Sequence, residues 1–419
     1  MPLDWAGCRV ILIGMKKVIL ALLVFSTAFD IWQTWDRINA LNPHALAYSA
    51  RMQVDAPRYF VEGQKMRAAH RFFLPPPSDH SLGMQVLASL WPTWRGQADM
   101  YSFKVFNFAL WLLTLFLAGH LSARLSNSAA WGLFAVAWLA HSNLFSVYTA
   151  VFQPEIIYAC GVTLVTYAAF QRLTPLRTFA LGLGIAILCV FRVKFLLGIV
   201  PLIWYYFADR TKRRDLRFGF FGFFLIAIPW NVVQTVSLEY AYFFEYIFFN
   251  RFTNQNNPNA PAFNFPQLPV AEPAGLAFVF QQPLNYLSLL FRRLEYLGGF
   301  RYDIWFQESE WTEGLHLLTH WPIAEVRYVM ATLGLCTIVL GFFVLMAKRS
   351  PSGFGKAMVV ASFGMIFLPH LIIGGSTRFV VPLVPLFAIL QTLAFQAVYV
   401  WGRELRRSRL AVPAWSEAT

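Results

Sequence analysis

The chain is 419 residues long, 58% hydrophobic and only 13% charged, with a mean hydropathy of +0.51. That composition excludes an ordinary water-soluble globular protein and points to an all-α, polytopic membrane protein. A formal net charge of +13 would mark a nucleic-acid binder in a soluble domain, but here the basic residues cluster between apolar runs, so the expected partner is the membrane and not nucleic acid.

Arg9, Lys16 and Lys17 precede the first apolar run, no small-residue cleavage site follows it, and Trp32, Trp35 and Asp36 read as an interfacial anchor. The run is therefore expected to be a retained signal anchor. A helix needs roughly 17 to 25 apolar residues to cross the hydrocarbon core. Spans are predicted near 15–35, 102–122, 128–148, 154–171, 176–191, 194–208, 217–236, 326–346, 355–373 and 379–400, about ten crossings in a single transmembrane domain over 1–419. Around Arg192 and Lys194 two short apolar stretches meet at a polar corner, and re-entrant pieces in place of full spans are the alternative there.

Short loops carrying Arg124, Arg172 with Arg177, the run from Asp209 to Arg217, Lys348 with Arg349 and Lys356, and the tail from Gly402 to Arg409 fall on one side. The short loops of the other side carry only Arg192, Lys194 and Arg378. By the positive-inside rule both termini are cytoplasmic, and the two long loops, about 33–101 and about 237–325, lie on the outer face, periplasmic in a bacterial inner membrane. The second loop alternates aromatic pieces with the Pro/Asn-rich stretch Asn254 to Pro269, which suits short interfacial helices and either a plain loop or a lid over a lipid-facing pocket. Cys8, Cys160, Cys189 and Cys336 show no pairing or metal spacing.

The chemistry is expected in the outer loops. Asp55 precedes Ala56 and Pro57 at the start of a helix that carries Arg58, Tyr59, Glu62 and Lys65, so it is either an N-cap or a working acid. Glu155, behind Pro154, is a second acid, placed at the surface of the outer mouth of the fourth span; a first-turn acid favoured by the helix dipole is the plain alternative. Two carboxylates on one face suit a general base with an orienting or metal-binding partner. Arg192, Lys194 and Arg378 reach the same face, where cations hold a lipid phosphate and stabilise it as it gains charge, or simply snorkel. Asp79 and His80, after Pro75, Pro76 and Pro77, are turn residues or line an acceptor entrance. His316 and His320 lack the order of a zinc motif, and Glu308, Glu310 and Glu313 read as a solvated acidic face.

Four segments carry a family likeness. VDAPRYFVEGQKM (Val54 to Met66), LPPPSDHSLGMQVLASL (Leu74 to Leu90), QPEIIYACGVTL (Gln153 to Leu164), and IPWNVVQ together with STRFVVPLVPL resemble motifs of the polytopic C-fold (GT-C) glycosyltransferases. The likeness is greatest to the bacterial branch related to protein mannosyltransferases and to the lipid A aminoarabinose transferase. It implies transfer of a sugar from a polyprenyl-phosphate donor to a hydroxyl of a lipid, glycan or protein acceptor, with inversion. By the same likeness Asp55 is the general base, Glu155 the second acid, Tyr59 lines the site, and Arg192, Lys194 and Arg378 contact phosphate; Arg58, close to Asp55 in the chain, and Asp79 and His80 are counted with them as substrate-binding candidates. Ala56 stands where many members have an acid, which leaves a divalent metal cofactor open, and Phe379 replaces the usual Tyr. A lipid or polysaccharide flippase, or a non-catalytic envelope assembly protein, is the competing expectation; a transporter places its polar groups at the bilayer midplane, often in repeated halves, and no repeat is visible here.

Overall fold

A segment that crosses lipid must satisfy its own backbone N–H and C=O groups, so apolar runs of this length become helices. The computed structural model describes residues 5–40, 56–70, 82–94, 97–238, 252–260, 271–297, 323–348, 352–373 and 377–410. Helix α1 (Trp5–Ala40) covers the first predicted span. The first long loop holds α2 (Ala56–Ala68), α3 (Leu82–Leu90) and a two-residue antiparallel ladder of β1 (Thr93–Trp94) and β2 (Gln97–Ala98), in which Thr93 faces Ala98. Helix α4 (Met100–Ser126) starts where the Asp99 carboxylate accepts from the Tyr101 N–H at 3.1 Å and stops at Asn127, whose φ of 52° closes the last turn in the left-handed region.

The predicted 128–148 span is not one helix. It divides into α5 (Ala129–Ala140), α6 (Asn143–Val147) and a 3-10 turn at Tyr148–Ala150, because Ser142 caps a new helix by accepting from the Phe145 N–H at 3.4 Å. There follow α7 (Glu155–Ala169), α8 (Pro175–Phe191), a 3-10 segment Val193–Ile199, α9 (Val200–Ala208) and α10 (Arg213–Leu238). The second long loop contains α11 (Phe252–Gln255), α12 (Leu276–Gln281) and α13 (Pro283–Leu297). The chain ends in α14 (Ile323–Ala347), α15 (Gly353–Ile373), a 3-10 segment Thr377–Leu383 and α16 (Val384–Leu410). Stretches long and apolar enough to cross a membrane lie in α1, α4, α10 and α16, and shorter apolar ones in α5, α7, α8, α9, α14 and α15. Leu284, Leu287 and Phe291 are exposed on α13, which gives that loop helix an apolar outer face.

The core is centred on α7, which packs against α4, α8, α15 and the 377–383 turn. Ala159, Val162, Thr163, Val165 and Thr166 are buried, as they must be on a helix surrounded by others. By contrast α1 and α10 expose Leu22, Phe25, Phe221, Leu225 and Ile228, the pattern of helices whose outer side meets lipid. At one end of the bundle the basic loops meet: Arg124 donates to Gln171, Lys348 to the Leu125 carbonyl, and Gln396 to the Ser126 carbonyl at 2.7 Å. The other end gathers the starts of α4 and α7, the finish of α8, and α2 with α3.

Small residues set the closest crossings. Helices α8 and α10 meet at Gly182, Gly219 and Gly222, where a Cβ on Gly182 would collide with the Gly219 carbonyl and one on Gly222 with that of Phe179. Without a hydrophobic drive between helices in lipid, such backbone contact supplies the packing energy. Gly182→Leu is expected to destabilise the protein by about 1–3 kcal/mol or more through overpacking, read as a lowered melting midpoint in detergent, whereas Gly364→Ala, which meets open space, leaves it unchanged.

Candidate active site

At the end where α7 begins, the chain buries a set of polar side chains: Tyr59, Gln85, Lys104, Asn107, Gln153 and Glu155. Helix α2 carries Tyr59 into a cluster with Met84, Ala88, Met100, Phe103 and Phe152. Phe103 and Phe152 have ring centroids 4.4 Å apart, and Phe60 meets the same Phe152 ring edge-on at 6.5 Å. Helices α2 and α3 pack closely because Gly63 leaves no room for a Cβ against Ala88. Arg67 then fixes the pair: its Nε donates to the Ser89 carbonyl at 2.7 Å, and its Nη2 to those of Ala88 at 3.3 Å and of Trp91. These are terminal carbonyls of α3, which have no partner within the helix. The Glu62–Lys65 pair at 3.0 Å lies outside, on the exposed face of α2.

Beneath this hairpin the Asn107 amide donates to the Val151 carbonyl at 3.2 Å, which holds the 151–154 segment leading into α7. Glu155 is the first residue of α7 and is only 2% exposed, so the sequence expectation of a carboxylate at the surface is corrected. The helix starts immediately after Pro154 and the bundle closes over its first turn, while the free N–H groups and the dipole there favour a negative charge. One turn on, Tyr158 meets Phe191 at 6.1 Å and Phe195 at 5.0 Å. Those two rings bracket Arg192 and Lys194 along the chain, and both cations are half-buried. The Lys194 ammonium lies 5.5 Å from the centroid of the Phe195 ring.

The structure therefore brings Tyr59, Glu155, Arg192 and Lys194 to one end of the bundle. Asp55, Asp79 and His80 lie outside the described residues, as do Glu308, Glu310, Glu313, His316 and His320 and the side chains of Arg58 and Arg378. Helix α2 begins at Ala56, directly after Asp55. Among the described residues no three His, Cys, Asp or Glu side chains come together as a metal site.

Sequence reasoning passed over several buried polar groups. Lys104 and Asp30 are charges inside apolar runs, a signal that by itself marks a polar contact or a pocket. Asp30 of α1 meets His141 at the α5–α6 break, with Oδ1 3.5 Å from Nδ1, and Arg37 donates to the Ser146 hydroxyl at 3.0 Å. In the second long loop Arg293 is fully buried and donates to the Asn256 side-chain oxygen at 3.1 Å. Burial lowers its pKa to about 10, against the opposing pull of the Tyr286 phenol, so it stays charged at neutral pH.

Because Arg67 positions the α2–α3 pair without entering the polar cluster, Arg67→Met is expected to cost at least about 2 kcal/mol in lost charge-assisted hydrogen bonds. The readout is faster amide hydrogen exchange over residues 56–91 with that of α7 unchanged.

No family model matches the chain, and no curated protein does. Among solved structures the fold is similar to that of ArnT from Cupriavidus metallidurans, whose crystal structure holds undecaprenyl phosphate, with a TM-score of 0.50 and 15% sequence identity. The match covers 93% of this chain and 62% of that one, so the chain spans less than two thirds of its neighbour's length. The chain is thus an all-α, polytopic membrane protein with the fold of the C-type glycosyltransferases.

Proposed function

We propose that the chain is a membrane glycosyltransferase that moves a sugar from a polyprenyl-phosphate donor to an acceptor hydroxyl, with inversion at the anomeric carbon. The observation that carries this reading is the meeting, at one end of a C-type fold, of a buried acid at the head of the central helix, a corner with two cations whose flanking rings pack on Tyr158 of that helix, and the helix that follows Asp55. In this reading Asp55 takes the proton from the acceptor hydroxyl as its oxygen attacks the anomeric carbon from the face opposite the phosphate. The bond from that carbon to the phosphate oxygen breaks, and the charge left on the phosphate is stabilised by Arg192, Lys194 and Arg378. Glu155 orients the reacting groups from the first turn of α7, and Arg58, Tyr59, Asp79 and His80 line the acceptor side.

The meeting of basic loops at the opposite end supports the topology read from the positive-inside rule. On that topology both termini are cytoplasmic, and the site faces the periplasm from a bacterial inner membrane. The binding of undecaprenyl phosphate by ArnT, a protein of the same fold, supports a lipid-phosphate donor.

Transfer from a radiolabelled polyprenyl-phosphate-sugar pool in membranes tests the reading. Asp55→Asn at matched expression is expected to lower it by about 10²- to 10⁴-fold, the range of general-base catalysis. Transfer equal to wild type would remove Asp55 as the base. Arg192→Met is expected to raise KM for the donor by about tenfold or more while the protein stays folded, as loss of a charge-assisted phosphate contact does. Repeating the wild-type assay with a chelator, then with added divalent ions, reads metal dependence directly.

A further inference from the structure

The buried face of α4 carries a polar stripe that the proposed reaction does not use. Lys104, Asn107 and Trp111 stand at i, i+3 and i+7, one above another along roughly 10 Å of helix. All three are buried, and Lys104 is 3% exposed. The Asn107 Oδ1 and the Trp111 indole N–H have no hydrogen-bond partner among the described residues. Lys104 forms no hydrogen bond or ion pair with any described residue. A cation on so buried a side chain, with no counter-charge among the described residues, is disfavoured, and charges kept inside membrane proteins face a pocket or pathway where they meet an opposite charge.

The stripe lies at the proposed site but on a different flank of it. Phe103, next to Lys104, packs at a tilt against Phe152 three residues before Glu155, and Asn107 holds Val151. Arg192 and Lys194 approach α7 from the end of α8 instead. We propose that Lys104 is an anion-binding residue of a second subsite, with the Trp111 N–H and the Asn107 oxygen as its neutral contacts. A cation and a donor beside an acceptor match an oxyanion carried next to hydroxyl groups, the chemistry of a phosphorylated or acidic sugar. The inference rests on the glycosyl-transfer reading for the source of that anion and not for the existence of the subsite.

The full chain in detergent provides the test, through melting midpoints and binding titrations with undecaprenyl phosphate, inorganic phosphate and glucuronate. Lys104→Met keeps the length of the side chain and removes the charge, and Lys104→Arg keeps the charge. Relieving an uncompensated buried charge stabilises the empty protein, so Lys104→Met is expected to melt higher than wild type, opposite to the loss of a structural ion pair. Wild type is expected to bind at least one probe, with affinity falling about ten- to a hundredfold in Lys104→Met and staying within a few-fold in Lys104→Arg. Loss confined to undecaprenyl phosphate assigns the anion to the donor lipid, and loss confined to phosphate or glucuronate assigns it to a sugar or acceptor group. The proposal is overturned if Lys104→Met binds every probe as wild type does, if wild type binds none, or if the variant melts lower with unchanged affinity. Sugar transfer separates the two readings. Transfer and probe binding both unchanged in Lys104→Met sink the subsite and leave the transferase standing, whereas probe binding that depends on Lys104 in a protein that transfers no sugar does the reverse.

Discussion

A carboxylate in apolar surroundings persists only where fixed dipoles or cations replace the water it has lost, and in this bundle that place is the first turn of α7. Glu155 occupies it. The helix behind it packs on α4, α8 and α15 and leaves Leu164 exposed on its remaining face, so its axial position is set by those three helices together. Moving the acid would mean repacking three interfaces. That constraint turns a single glutamate into a fixed reference, around which the loop helices and the α8 corner are arranged.

The backbone follows the same logic. Irregular main chain at membrane depth is tolerated only where protein covers it or where it lines a polar cavity. The breaks in this fold, at His141 and Ser142, at Val193–Ile199 and at Thr377–Leu383, fall toward the end that holds Glu155. The 377–383 turn and the 148–150 turn both pack on α7 itself. The breaks at Val193–Ile199 and Thr377–Leu383 replace regular helix bonds with 3-10 bonds of poorer geometry, and the one at His141 and Ser142 leaves two helix ends to be capped, so polar groups are freed where the helices are least regular.

This distribution decides what could be read from the amino acids. The spans were legible because lipid imposes one requirement on length and hydropathy, and α4, α10 and α16 fall where the apolar runs place them. The α5–α6 break was not, since Ser142 and His141 sit in an otherwise apolar run and only the cap geometry shows that Ser142 starts a new helix. Tyr59 is legible as a member of a short motif, and Arg192 and Lys194 as charges at the polar corner between two short apolar stretches. The depth of Glu155 depends on neighbours distant in sequence, which no local pattern records. Lys104 is visible as a charge inside a span, but its burial depends on neighbours distant in sequence.

Where the cations sit separates those that support the fold from those that are free to act. Lys348 donates to the Leu125 carbonyl, Lys356 to Met346 at 2.8 Å, and Arg213 to Tyr206 at 2.9 Å. All three donate to the last turns of α4, α14 and α9, where the dipole favours positive charge and the carbonyls lack helical partners. Arg67 does the same for α3. These cations are fully occupied by the structure. Lys104 stands near the opposite pole of its helix, five residues in from the start, where the dipole gives a cation no help and burial opposes it. Among the described residues nothing in the packing of α4 accounts for a charge there, whereas the proposed anion at the head of α7 would.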